Sequence, residues 1–321
     1  MGISEFELIR EYFADVTGSR TDVSLGIGDD CALLQPPAGS LLAVSVDTLV
    51  EGRHFSAGAE PVSLGHKALA VNLSDLAAMG AEPAWVMLAL TLPAPDAAWL
   101  QGFVRGFGAL AAGYGVQLVG GDTTRGPLSI TVQVTGFIEP GGALTRGGGK
   151  AGDRLFVSGC VGDAGLALAQ GGGSIHSDHG MARLRERLDR PQPRVALGRL
   201  LRGLASAAID ISDGLTADLG HICSASGTGA RVDLESLPVS APVRAECARG
   251  HWQYALAGGD DYELLFSVPP GRVGDLLLAC RDAGERVQEI GCLAEDSGIV
   301  LVYPGGRESE EIPDGFDHFR P

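Results

Sequence analysis

Apolar and polar positions alternate along this chain with two periods, one helical and one strand-like, and the two periods interleave from end to end. Ser4 and Glu7 read as a capping box. Phe6, Ile9, Phe13 and Val16 follow near helical spacing, which predicts a short amphipathic helix over residues 4–16. Residues 41–46 form a strand run that delivers Asp47 at its end, and residues 50–55, with Glu51, Arg53 and His54, leave it as a loop. Pro61 suits a first helical turn, and residues 62–79 place Leu64, Ala68, Leu69, Leu73 and Leu76 largely on one side of a helix. Asn72 and Asp75 are three apart on it, so they share a face and need polar partners. A continuous apolar strand at 85–92, a helix at 96–114, a short strand at 116–119 ending in Gly120-Gly121-Asp122, and an alternating strand at 129–138 follow.

Glycine clusters at 141–142 and 147–149 then punctuate the chain, and a domain boundary is expected near 140–150, separating residues 1–140 from 150–321. The stretch from Arg146 to Lys150 is not a P-loop, because Leu144 stands where its first glycine belongs and Ala151 follows the lysine. The second half predicts a strand at 154–158, a glycine-rich turn, a helix near 163–170 and a polar, glycine-rich loop at 171–180. Helices at 193–207, 215–225, 241–249 and 272–283 and strands at 229–234, 263–268, 287–292 and 299–303 complete it. Interleaved strands and helices in both halves argue for α/β or α+β layers.

The polar positions that interrupt this pattern are mostly acids. A short apolar run ends in Asp, with Gly, Ser or Thr beside it, at Gly28-Asp29-Asp30, Ser45-Val46-Asp47, Asn72-Leu73-Ser74-Asp75, Gly120-Gly121-Asp122-Thr123, Asp210-Ile211-Ser212-Asp213-Gly214 and Gly258-Gly259-Asp260-Asp261. Any one of these is an ordinary turn or cap. Their recurrence predicts that the acids are gathered in one place. Gathered carboxylates repel one another and resist ionising together unless cations are present. Oxygen-only ligands suit Mg²⁺, which is commonly shared with substrate phosphates, and phosphoryl transfer needs mainly alignment and charge neutralisation.

Composition narrows the picture. The formal charge of -16 leaves no basic stripe for a nucleic-acid partner, while metal ions can still reverse the sign of an acidic pocket toward a small phosphate ligand. The six cysteines form no CxxC pair and no zinc spacing with His, and read as reduced thiols of a cytoplasmic protein. No apolar run approaches a membrane span, and the N-terminus reads as the start of an acidic helix, not a signal peptide.

Taken in register, the six motifs, with Asn72 to Gly80, Tyr262-Glu263-Leu264 and the Gly315-Phe316-Asp317-His318-Phe319 tail, closely resemble the thiamine-monophosphate kinase family of the aminoimidazole ribonucleotide synthetase superfamily. The resemblance implies the two-domain α/β (α+β) fold of that superfamily and phosphorylation of thiamine phosphate by ATP. It also implies a homodimer associated through the N-terminal sheets. It implies Mg²⁺ at Asp30, Ser45, Asp47, Asp75, Asp122, Asp210 and Asp213, with Val46 contributing its backbone carbonyl. ATP would meet Gly121, Asp122, Arg146 and Ser212, and thiamine phosphate would meet His54, Glu263 and Phe316. Two positions depart from the family pattern: Val104 aligns where a Tyr often lies near the ATP base, and Asp260 where a Glu often opens the acidic pair. Related selenide dikinases and carbamoyl-transfer proteins fit less well, for no reactive Cys precedes Cys31 and the chain ends Phe319-Arg320-Pro321. A Ca²⁺-binding module would show EF-hand spacing, which is absent.

Overall fold

The computed structural model describes residues 4–171, 179–316 and 318–319, so most of the expected 171–180 loop lies outside the described residues. The chain divides into two units, Met1–Leu76 with Ala81–Gly141, and Ala77–Gly80 with Gly142–Pro321.

In the N-terminal unit the capping box at Ser4 and Glu7 is present and opens α1 (Glu5–Leu8), which continues as a π-helical turn over Ile9–Phe13. A small ribbon pairs β1 (Val23–Leu25) with β2 (Leu33–Leu34). The main sheet is built from β3 (Leu41–Val50), β4 (Glu82–Leu92), β5 (Gln117–Arg125) and β6 (Ser129–Ile138), in the order β3-β6-β4-β5. Only the β4–β5 pair is parallel. The helices α2 (Pro61–Ala78) and α3 (Ala97–Tyr114) approach each other at backbone distance, because a Cβ on Gly65 would lie 2.0 Å from Phe103 O and one on Gly106 would lie 1.9 Å from Val62 O. Asp96 caps α3 by accepting from Ala98 N and Trp99 N.

The C-terminal unit holds a seven-stranded sheet. Its strands are β7 (Arg154–Ser158), β8 (Ala207–Asp210), β9 (Gly229–Asp233), β10 (Leu264–Val268), β11 (Val287–Ala294), β12 (Ile299–Val302) and β13 (Glu308–Ser309). They lie in the order β13-β12-β9-β11-β7-β10-β8, antiparallel except for β12 against β9. The helices are α4 (Asp163–Ala169), α5 (His179–Asp189), α6 (Val195–Leu201), α7 (Leu215–Ser226), α8 (Ala241–Ala248), α9 (Gln253–Ala257) and α10 (Val273–Ala283). The strands β8 and β10 are buried along their whole length, and Phe156 of β7 stacks on Phe266 of β10 with ring centroids 5.7 Å apart.

Three expectations fail in instructive ways. The strand expected to end at Asp47 runs on to Val50, and the strand expected to end before Gly120 runs through the Gly-Gly-Asp motif to Arg125. Both acids therefore lie within ladders, because partner strands β6 and β4 extend far enough to pair with them. The helix expected over 193–207 stops at Leu201. Gly203 takes a left-handed φ of 73°, and residues 207–210 are drawn into the sheet edge by pairing with β10. The elements α5, α9 and the two short ribbon strands were not among those expected.

Candidate active site

In the N-terminal unit, strand alternation turns Ser45 and Asp47 of β3 to one face, with Leu49 buried next on that face. The helix α2 meets that face. Ser45 Oγ donates to Asp75 Oδ2 at 2.5 Å, and Asp47 N–H donates to Asn72 Oδ1 at 3.1 Å. Asn72 is itself buried and returns its amide to Ala68 O at 3.0 Å, so the polar face predicted on this helix has its partners. Val46 turns the other way and is 58% exposed. After β3 the chain curls back: Val50 N–H donates to Nδ1 of half-buried His54 at 2.9 Å, which fixes the ring's orientation.

The motifs at Asp30 and at Gly120–Thr123 meet in a second place in the same unit. They line a cavity of about 400 Å³ whose apolar wall includes Phe6, Ile9 and Phe13. Asp30 and Asp122 are both exposed, and Asp29 Oδ1 accepts from Asp30 N at 2.8 Å to shape the turn. At Gly121 the backbone of β5 presses against β4, where a Cβ would lie 1.8 Å from Leu88 O, and φ is 154°. Only glycine fits there. The apolar wall escaped the sequence reading. Its helical spacing was visible, but spacing does not say whether a face is covered by core or left lining a cavity.

In the C-terminal unit, antiparallel pairing sets Leu264 opposite Asp210, so the turn leaving β8 runs beside the segment entering β10. Asp260 N–H donates to Ser212 O at 2.8 Å, and Tyr262 N–H to Ile211 O at 2.8 Å. Asp218, on the first turn of α7, accepts from the backbone N–H groups of Ser212 and Asp213. Burial, then the charges of Asp210 and Asp213, push its carboxyl up to about 8. Burial also raises Asp213, with Asp260 adding to the rise while His221, His318 and Arg146 oppose it. The tail returns to this turn, where Phe316 N–H donates to Asp213 O at 3.0 Å. Arg146 is exposed, and its carbonyl accepts from Ser226 Oγ at 3.1 Å. The turn thus brings together Asp210, Ser212, Asp213 and Phe316. It adds Asp218 and Asp260, which motif reading alone gave no role.

Within each unit the expected acids fall into distinct groups: Asp47 and Asp75 where β3 meets α2, Asp30 and Asp122 around the cavity, and Asp210 and Asp213 at the turn after β8. Among the described residues no three His, Cys, Asp or Glu side chains are arranged to hold a single ion. Glu263, expected to touch substrate, is fully buried, and both its carboxylate oxygens are engaged by Arg187, Arg194 and Ser158. The donor set still fits a hard cation. It is made of carboxylate and hydroxyl oxygens, with no thiolate among the residues expected to bind metal, and in the C-terminal turn burial first, then neighbouring carboxylates, raise Asp218 and Asp213. All six cysteines are free, with Cys223, Cys247 and Cys280 buried, Cys160 and Cys292 half-buried and Cys31 exposed. No helix among the described residues is long and apolar enough to cross a membrane.

Comparison with known proteins places these features in a family. Residues 28–138 match the AIR synthase related protein N-terminal domain, and residues 150–304 match its C-terminal domain. The chain is 49% identical to the thiamine-monophosphate kinase of Salmonella typhimurium, over 99% of each chain. It is 41% identical to that of Haemophilus influenzae, over 100% of this chain and 99% of the relative. Among solved structures, the thiamine-monophosphate kinase of Stenotrophomonas maltophilia superposes with a TM-score of 0.82 at 46% identity, covering 88% of this chain and 92% of that one. The structure of AaThiL complexed with AMPPCP and TMP superposes with a TM-score of 0.77 at 32% identity, covering 88% and 89%. The hydrogenase maturation protein HypE, at 22% identity and a TM-score of 0.78, shares the fold. With both domain families matched in order and 49% identity sustained over 99% of the chain, this protein belongs to the thiamine-monophosphate kinase family of enzymes.

Proposed function

We propose that the chain transfers the γ-phosphoryl group of ATP directly to thiamine phosphate, giving thiamine diphosphate and ADP. The observation that carries this reading is the pairing of Asp30 with Gly121 and Asp122 around one cavity, in a chain 32% identical to a protein solved with AMPPCP and TMP. The acceptor is a phosphate monoester with a second pKa of about 6, so it is already anionic near neutral pH and needs no general base. The work left for the protein is to align two anionic groups and offset their charge.

Asp30, Ser45, Asp47, Asp75, Asp122, Asp210 and Asp213, with the Val46 carbonyl, would hold several Mg²⁺ ions. Bound Mg²⁺ would supply the charge neutralisation at the phosphate oxygens that this acidic chain lacks. The chain's own residues do the rest. Gly121 lines the cavity beside Asp122 and would meet the nucleotide with its backbone, and Ser212 and Arg146 would offer donors to it. His54, its Nδ1 held by Val50, presents the opposite edge of its ring to the acceptor, and Phe316 offers an aromatic face. Glu263, expected at the acceptor, is buried against Arg187, Arg194 and Ser158 and would act on the site through the groups it holds.

The exposed row on edge strand β3, with Leu42 at 50%, Val44 at 61% and Val46 at 58% exposure, supports a homodimer joined through this sheet. The cytoplasm is the proposed compartment, in keeping with six unpaired thiols.

The test is a turnover assay with ATP, Mg²⁺ and thiamine phosphate that resolves thiamine diphosphate, ADP and free phosphate. Thiamine diphosphate formed one-for-one with ADP is the expected result. ADP with free phosphate and no thiamine diphosphate would overturn it. A phosphorylated side chain trapped during turnover would overturn direct transfer alone.

A further inference from the structure

Glu263 has no solvent-exposed surface, and its carboxylate is saturated by donors. Oε1 accepts from Nη2 of Arg187 and from Nη2 of Arg194, the latter at 2.6 Å. Oε2 accepts from Nε of Arg194 at 2.6 Å and from Ser158 Oγ at 2.5 Å. The pairing with Arg194 is a bidentate fork, the geometry that fixes both orientation and distance. Room for this carboxylate exists only because residue 159 is glycine, where a Cβ would lie 2.1 Å from Oε1.

The segment that leads into Glu263 is strained. Asp260 and Tyr262 have φ of 60° and 50°, and they are the only non-glycine residues in the left-handed region among the described residues. For a side chain as large as Tyr that conformation persists only when the surroundings over-determine it. The two bends split the acids between opposite sides. Asp260 goes beside Asp213, with its N–H on Ser212 O. Asp261 goes into the interior, where Gly162 N–H donates to both its oxygens at 3.0 and 2.8 Å. Glu263 anchors the end of the segment, and its carbonyl accepts from Ile211 N–H at 2.8 Å.

We propose that Glu263 is a positioning residue: its fork with Arg194, together with Arg187 and Ser158, holds the strained Asp260–Glu263 segment so that Asp260 stands in the acidic turn beside Asp213. This rests on the reading of that turn as part of the phosphoryl-transfer site. Asp260 is the group that acts there, and Glu263 acts through it. The arrangement explains why a fully buried carboxylate with two arginines lies so close in sequence to the turn without an atom free to face it.

The experiment is steady-state kinetics on the full-length protein with ATP, Mg²⁺ and thiamine phosphate. It compares Asp260→Asn, Glu263→Gln, Arg194→Lys and each of the last two combined with Asp260→Asn. Lysine keeps the charge and loses the fork. Glu263→Gln and Arg194→Lys are each expected to lower kcat by about tenfold, with KM for thiamine phosphate unchanged within about twofold, and to add nothing when Asp260 is already Asn. If Glu263→Gln does not fold, the Arg194→Lys pair of variants carries the same comparison. Three results would overturn the proposal. One is a rise in KM for thiamine phosphate at constant kcat, which would mean direct contact with the acceptor. Another is losses that multiply with that of Asp260→Asn. The third is a lowered melting temperature with unchanged kcat per folded molecule, the signature of a purely structural ion pair. Full turnover by Asp260→Asn would instead overturn the reading of the acidic turn, and the proposal with it. That outcome is distinguishable because Asp260→Asn is measured alone.

Discussion

In the N-terminal unit the expected acids stand on strands, a helix or an open turn, exposed at Asp30 and Asp122 and half-buried at Asp47 and Asp75. Asp47 and Asp122 lie within paired strands, Asp75 lies on a helix, and Asp30 lies in an exposed turn. In the C-terminal unit the acids are packed into a turn and a strained segment. Asp210 and Asp261 are buried, Asp213 is half-buried, and Asp218 is pushed up to about 8 by burial and by its neighbours. The same sequence device, an apolar run ending in Asp, thus has two physical outcomes. On an open strand the carboxylate keeps its hydration and costs the fold little. In a buried turn it must be held by backbone N–H groups, and each added acid raises the cost of the others. Removing an acid of the first kind is expected to change stability little, whereas removing one of the second kind relieves a desolvation cost.

The largest effect expected from this contrast is at Asp75. Asp75→Asn keeps the shape and the bond from Ser45, so the melting temperature should hold while kcat falls by about a hundredfold or more. Loss of folding together with activity would mean that the N-terminal acids are structural too. Gly121→Ala tests the close approach of β5 to β4. A Cβ 1.8 Å from Leu88 O should cost about 3 kcal/mol in a denaturant titration, whether or not nucleotide is present.

Asp213→Asn should separate the two regions most sharply. Assayed without metal, it relieves the burial of a carboxylate, and to a lesser degree its repulsion by Asp260, and should raise the melting temperature by roughly 2–4 °C, even as turnover falls. Asp122→Asn should lower turnover with no such gain. Equal thermal responses would erase the distinction. The smallest effect concerns Asp22 of the N-terminal unit, whose carboxyl is held below its ordinary value by the Arg20 guanidinium, with help from the Trp85 indole N–H. A lowered carboxylate contributes stability above its unfolded pKa and loses it as pH falls through the folded value. Asp22→Asn should therefore cost about 1 kcal/mol at neutral pH, and the difference from the parent protein should vanish as the pH drops below the usual carboxylate range.

Much of the architecture is legible in the pattern of residues. The capping box at Ser4, the strands at 129–138 and 154–158, and the helix capped by Asp96 follow from local periodicity and capping chemistry. The acid motifs that mark the candidate site are equally plain. What was not legible is where each strand stops and which way each acid points. The ladder carries β3 past Asp47 and β5 past Gly121, because the length of a strand is set by its partner and not by its own composition. Helix α5 was legible but missed: Met181, Leu184 and Leu188 stand at helical spacing in an otherwise polar stretch, and they pack into the core of the unit.

Glu263 shows the limit most clearly. One residue from Tyr262 and two from Asp261, it reads as one more acid of a functional motif. Its role is decided by Arg187 and Arg194, some seventy residues earlier in the chain, and by the absence of a side chain at Gly159. The sequence by itself determined the inventory: which elements form, which acids are present, and that oxygen ligands suit a hard cation. Tertiary structure alone decided which acids face solvent and which are buried and paired. Burial and ion pairing depend on groups brought together by sheet order, and no local pattern encodes the dielectric or the counter-charge that a distant segment will supply.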